Sequence, residues 1–171
     1  MPGWSTQIAN EFIRLGANSA ARFDQMQLQK LVYISHGWCL AITGGPLTGD
    51  RPEAWDFGPI YRRLADASAR WGQQRITSLL HVDGANPEGI WSELDSEERR
   101  VIERVLLHYG RFSSDQLSAL TRGEAAPWAR VYGAGEGRFQ DIPHRSIRDQ
   151  FVSLAEAIRE DKDFDRDRDR G

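Results

Sequence analysis

The stretch Phe23 to Trp55, FDQMQLQKLVYISHGWCLAITGGPLTGDRPEAW, constrains the fold more than any other, above all its first half, Asp24 to Ile42. Placed on a helix at about 100° per residue, Leu28, Leu31, Val32, Ser35, Cys39 and Ile42 share one face. Ile34 and Trp38 flank that face on one side and Tyr33 and Leu40 on the other, which leaves Gln29, Lys30, Gly37 and Ala41 for water. A helix apolar around most of its circumference is wrapped by other elements, so the pattern predicts a domain built round this one. Asp24 can cap its first turn, with Gln27 as capping-box partner and Phe23 and Leu28 in the staple positions. Gly44 and Gly45 stop it, and Pro46 prevents its resumption.

A chain of 171 residues and 19.4 kDa can bury a core as one domain without disulfide or metal staples. Cys39 is the single cysteine, and no leader or long apolar run is present, so a soluble cytoplasmic protein away from membranes is expected. A formal charge of −3 and a pI of about 5.8 argue against a general nucleic-acid binder, which needs a basic field. The six tryptophans, Trp4, Trp38, Trp55, Trp71, Trp91 and Trp128, are spread along the chain, a distribution that ties separate helices to one core.

In chain order, Ser5 can cap a first helix over Thr6 to Asn18, with Ile8, Phe12 and Leu15 inward and Gln7, Asn10, Glu11 and Arg14 outward. Pro46 to Gly58 reads as an irregular connection or a short hairpin, because Pro52 removes a ladder donor. Gly58-Pro59 reads as a helix entry, followed by the stripe Ile60, Leu64, Ala67 and Trp71 up to Gly72. Residues 76–82 suit a short strand, and Asp83-Gly84-Ala85-Asn86-Pro87 is turn chemistry. A helix capped by Asp95 with Glu98 buries Val101, Ile102, Val105, Leu106 and Tyr109 as far as Gly110. Ser113 with Gln116 caps a short helix to Thr121, Pro127-Trp128 opens another turn, and a glycine-rich loop spans Gly133 to Gly137. From Pro143 the spacing of Ile147, Phe151, Leu154 and Ile158 predicts a last helix. Residues 159–171 alternate opposite charges with almost no apolar content, so a disordered tail is expected there. The sum is a mainly α protein: one helical domain over 1–158, with at most a short β-hairpin or strand in 46–58 and 76–82.

Three landmarks occur in order: MQLQKLVYISHGWCLAITGGPL (Met26 to Leu47), EAWDFGPIYRRL (Glu53 to Leu64) and YGRFSSDQLSALTRGEAAPW (Tyr109 to Trp128). Together they resemble the Panacea-domain family, also described as SocA-like or phage-associated GepA-like proteins, over roughly Ile8 to Phe151. The resemblance implies a mostly helical, non-enzymatic antitoxin that binds and neutralises a cognate protein toxin encoded by a neighbouring gene. For SocA-like members it adds delivery of the bound toxin to a ClpXP-type protease. It implies no cofactor, and because the family pairs with diverse toxins the fold does not name the partner.

The candidate contact surface is the turn Ala54 to Pro59, with Trp55 and Phe57, and the following helix with Tyr61, Arg62, Arg63 and Arg70. Trp and Arg are the residues most enriched at binding hot spots. The plainer alternatives are that Trp55 and Phe57 close the core and that the arginines form a solvated face. Lys30 can anchor an acidic group of a partner, against the alternatives of a solvated lysine or an internal ion pair. His36 and Cys39 have a spacing that suits two metal ligands but lack further ones, and burial would blunt the Cys39 thiol. The helical hairpin around Gly110 invites a DNA-binding or transcriptional reading, yet SSDQLSALTR offers one arginine, an aspartate and no lysine. Neither glycine-rich stretch has the strand and lysine of a phosphate loop, and no nucleophile with its base can be nominated.

Overall fold

In the computed structural model, which describes residues 2–84 and 90–168, the helix predicted at the centre is at the centre. The elements are α1 (Ser5–Asn18), α2 (Gln25–Thr43), β1 (Glu53–Trp55), β2 (Gly58–Ile60), α3 (Arg62–Ser68), α4 (Ile90–Glu93), α5 (Ser96–Tyr109), α6 (Ser114–Thr121), α7 (Pro127–Tyr132) and α8 (His144–Arg168). Helix α2 contacts α1, α3, α5, α6, α8 and the hairpin. Asp24 accepts from the Gln27 backbone at 2.8 Å, and Gln27 accepts from the Asp24 N–H at 2.9 Å. At the other end Gly44 takes the left-handed conformation (φ 76°) that a side chain would resist.

The water-facing side expected for α2 does not exist: Gln29, Lys30 and Gly37 are buried, and Ile42, expected inside, is 57% exposed. The reason is packing from both flanks. Phe151 of α8 seats on Gly37 so closely that an added Cβ would lie 2.3 Å from the ring. On another side the hairpin lies against Gln29 and Lys30. The α1 pattern is corrected in the same way. Glu11, 1% exposed, accepts from Arg14 at 2.7 Å. Asn10, also 1% exposed, is covered because the segment at Leu80 pairs with it: Asn10 donates to the Leu80 carbonyl at 2.9 Å, and the Leu80 N–H donates to Asn10 Oδ1 at 2.7 Å.

That exchange also explains why 76–82 is no strand. Ile76 forms an isolated bridge with Phe23, and Leu80 finds its partners on a side chain. The proposed turn at Asp83 to Pro87 lies partly outside the described residues; Gly84 within it has φ 70°. Gly58-Pro59 likewise begins no helix. It is the second strand of an antiparallel pair, Ala54 opposite Pro59 and Trp55 opposite Gly58, and α3 starts only at Arg62. The segment before α8 adds to this pair, with Phe139 N–H donating to Ala54 O at 2.7 Å and Ala54 N–H to Gln140 O at 2.8 Å.

The remaining caps fall where predicted, at Asp95 and Ser113. At α1 the helix begins one residue early, because the carboxylate of Asp50 accepts from Ser5 N–H at 2.7 Å and from its hydroxyl. Helix α8 buries Ile147 and Phe151, whereas Leu154 and Ile158 are 42% and 45% exposed, and helical geometry continues to Arg168. No helix among the described residues is long and apolar enough to cross a membrane.

Candidate functional site

The surface around the hairpin is set by how its backbone is satisfied from beneath. Gln29 Nε2 donates to the Tyr61 carbonyl at 3.0 Å, and the Tyr61 N–H donates to Gln29 Oε1 at 2.8 Å. One side-chain amide thus supplies the two bonds that a neighbouring strand would supply. Lys30 Nζ donates to the Pro59 carbonyl at 2.9 Å, directly under Gly58 (φ 113°), where any Cβ would sit 3.1 Å from the ammonium. Burial, and secondarily the charge of Arg122, lowers the Lys30 pKa to about 7. Lys30 and Tyr61 are each 0% exposed, so they hold the hairpin from inside and are not part of the surface on which they were expected.

Above this support the turn is braced at the Trp55 carbonyl and indole and at the Asp56 carboxylate. Trp128 Nε1 donates to the Trp55 carbonyl at 2.7 Å, and Trp55 Nε1 donates to Glu53 at 2.8 Å. Asp56 accepts from Tyr132 at 2.8 Å and pairs with Arg138 at 2.6 Å. Phe57 at the tip is left 63% exposed. Beside it Phe139 is 52% exposed and packs edge-on to Trp55, with ring centres 5.3 Å apart. Its φ of 67° is unfavourable for a bulky residue, by an amount on the order of 1–3 kcal/mol, and is held by the two backbone bonds around it. Met26, Trp55, Phe57, Ile60 and Phe139 line an apolar slot of about 380 Å³.

The three arginines named from the sequence are exposed, and each lies over a tryptophan: Arg62 over Trp55 at 5.2 Å, Arg63 over Trp4 at 4.1 Å and Arg70 over Trp71 at 5.3 Å. Arg62 is also bound by both oxygens of Glu53, which raises its pKa. All three line a second, larger groove of about 1200 Å³ between the start of α1, α3 and residues 79–83. Arg62, Arg63 and Arg70 thus line the groove and Trp55 and Phe57 the slot, and Arg62, lying over Trp55, is the contact between the two. Sequence reasoning missed Trp4, Asp50, Arg51 and Phe139, which reach the face from distant parts of the chain and carry no local motif.

Elsewhere, His36 and His144 meet with ring centres 4.7 Å apart, and burial with the neighbouring His144 lowers the His36 pKa to about 3. Cys39 lies beside Thr43, its pKa pushed up to about 11 by burial. No group of three or more His, Cys, Asp or Glu among the described residues is placed to hold a metal ion. The inner side of α6 is spent on the core through Leu117, Ser118 and Thr121, and its outer side shows Asp115, Gln116, Ala119 and Leu120.

The family model described as Antitoxin SocA-like, Panacea domain, matches residues 28–129, an interval that includes Gln29, the whole hairpin and α3. Antitoxin SocA of Caulobacter vibrioides (strain NA1000 / CB15N) is 32% identical over 156 residues, covering 84% of this chain and 80% of that protein. No solved structure matches. The match runs across most of the domain, hairpin and arginine face included, and the chain belongs to the SocA-like, Panacea-domain antitoxin family.

Proposed function

We propose that this protein is the antitoxin of a toxin–antitoxin pair, which neutralises a cognate protein toxin in the cytoplasm by binding it directly. The observation that carries the reading is the 32% identity to an antitoxin across 84% of the chain. The geometry supports a binding role: the turn presents Phe57 beside Phe139, with Arg62 over Phe139 and Trp55, and tryptophan and arginine are enriched at protein–protein hot spots. The contact face on this reading is Trp55, Phe57, Arg62, Arg63 and Arg70, and the mechanism is masking of the toxin's active surface, with no chemistry by the antitoxin.

The test is co-expression with the adjacent gene. That gene alone arrests growth, and this protein restores growth and co-purifies with its product; absence of rescue sinks the reading for that pair. Presentation of the bound toxin to a ClpXP-type protease is the finer form that the resemblance to SocA-like proteins supports. Its measure is toxin half-life with and without this protein in protease-competent cells, and an unchanged half-life leaves masking alone. A transcriptional role finds little support, since the outer side of α6 is acidic and neutral.

A further inference from the structure

Where α2, the loop that follows it and the start of α8 meet, two imidazoles pack against each other. The ring centres of His36 and His144 lie 4.7 Å apart, and Tyr61 meets His36 edge-on at 6.4 Å. His36 is fully buried. Its Nδ1 accepts from the Thr48 N–H at 3.3 Å, and the Thr48 hydroxyl lies 3.2 Å from the same nitrogen. A backbone N–H only donates, so the ring is neutral and carries its one proton on Nε2. That Nε2 and the Nε2 of His144 are buried with no hydrogen-bond partner among the described residues. A second proton on His36 must therefore sit on Nδ1, where the Thr48 N–H already points, and would set two donors face to face. No carboxylate stands within ion-pair distance of either ring among the described residues. Arg51 of the loop and Asp141 before α8 act on His144 from further off, and the Asp50 carboxylate is held by Ser5 of α1. Burial first, and then the second ring, hold the His36 pKa down to about 3, while burial and Arg51 outweigh Asp141 and lower that of His144.

Both segments that meet at the pair lead to the surface described above. Thr48 is followed by Gly49, Asp50 and Arg51, which line the groove, and the Gly49 N–H donates to the Gly3 carbonyl at 2.7 Å. His144 follows the segment that carries Phe139 into the slot, where the Ile142 N–H donates to the Pro52 carbonyl at 2.8 Å. We propose that His36 and His144 form an acid-sensitive latch, which holds the 48–51 loop and the start of α8 on the central helix while both rings are neutral and releases them when the pair takes up a proton. The sign follows from proton binding. Between about 3 and the ordinary imidazole value of 6.5, the opened joint binds a proton on His36 that the closed joint refuses. The latch is therefore fully closed above about 6.5 and weakens as pH falls below it. This response belongs to the fold and holds whatever the protein binds.

The experiment follows amide hydrogen exchange of the purified full chain at pH 7 and pH 5, corrected for intrinsic exchange, at Thr48, at Ile142 and, for comparison, at Val105 in the middle of α5. Release of His36 alone raises the opening constant roughly 25-fold over that interval. Protection at Thr48 and Ile142 is expected to fall by about tenfold or more, through openings that leave α5 closed, so that Val105 remains the better protected at pH 5. His36→Asn keeps an acceptor near the place of Nδ1 and takes up no proton, and it is expected to lose most of that fall. Unchanged protection at Thr48 and Ile142 overturns the proposal. So does equal protection of all three amides at pH 5, because acid then acts only by unfolding the whole chain. The full fall in a folded His36→Asn protein overturns it as well. Should that variant fail to fold, the imidazole nitrogen resonances of the wild type decide. At pH 7 His36 is expected to show a bare Nδ1 and a protonated Nε2, and a proton on Nδ1 at that pH removes the latch.

Discussion

Helix α2, and helix α3 with the 3-10 turn Ala69–Trp71 that follows it, both carry long polar side chains, and they use them in opposite directions. Gln29 and Lys30 point inward and satisfy carbonyl and amide groups of the hairpin that water cannot reach. Arg62, Arg63 and Arg70 point outward and lie on tryptophans. The difference teaches that a polar residue opposite an apolar stripe need not face solvent. A short hairpin laid on a helix buries backbone that some side chain must pair, because an unpaired buried amide costs about 1–3 kcal/mol. The scaffold is therefore polar where it supports strands, and the contact face is aromatic.

The contrast is broken most severely from the scaffold side. Leu31→Ala, at a fully buried position of α2, is expected to cost about 2–5 kcal/mol in denaturant unfolding; a loss below about 1 kcal/mol would mean that α2 is not the core element. Gln29→Ala leaves the Tyr61 N–H and carbonyl without their partner, at about 1–3 kcal/mol for each. It is expected to unfold the hairpin locally, read as faster amide exchange at Tyr61; unchanged exchange there would remove the amide support. Lys30 sharpens the comparison through pH. With its folded pKa lowered to about 7 from 10.5, the unfolded chain binds the extra proton between those values. Stability is therefore expected to rise with pH from about 7 towards 9, by at most about 1.4 kcal/mol per unit, above which the raised Cys39 pKa acts in the opposite sense. Lys30→Met abolishes that rise, and a wild-type profile flat in this window would refute the lowered value. The smallest stability effect belongs to Arg63→Ala, within about 0.5 kcal/mol, with a loss of toxin affinity. A folded variant that binds normally takes Arg63 out of the interface.

Local chemistry carried much of the fold into view from the sequence. The caps at Asp24, Asp95 and Ser113 need only neighbours within one turn, and the boundaries of α2, α5 and α6 followed from them. What was missed depends on distant partners. Asp50 caps α1 from 45 residues away, and residues 139–141 join the hairpin across a gap no pattern could span. Gly58-Pro59 has the local chemistry of a helix entry, and the Lys30 ammonium that captures the Pro59 carbonyl comes from 29 residues away, beyond any local pattern. Of the proposed contact residues, Trp55, Phe57, Arg62, Arg63 and Arg70 reach the surface because aromatic turns and arginine runs are legible locally. Lys30 and Tyr61 do not, because burial under a hairpin is a tertiary fact.

The seat of Phe151 on Gly37 has a mechanical meaning. Phe151 lies about two turns into α8, and immediately before that helix comes the segment that carries Phe139 to the contact face. A side chain at Gly37 would collide with Phe151 and press α8 away from α2 where that ring packs the two helices together. The close approach of α8 to the central helix therefore rests in part on the absence of a single methyl group at Gly37.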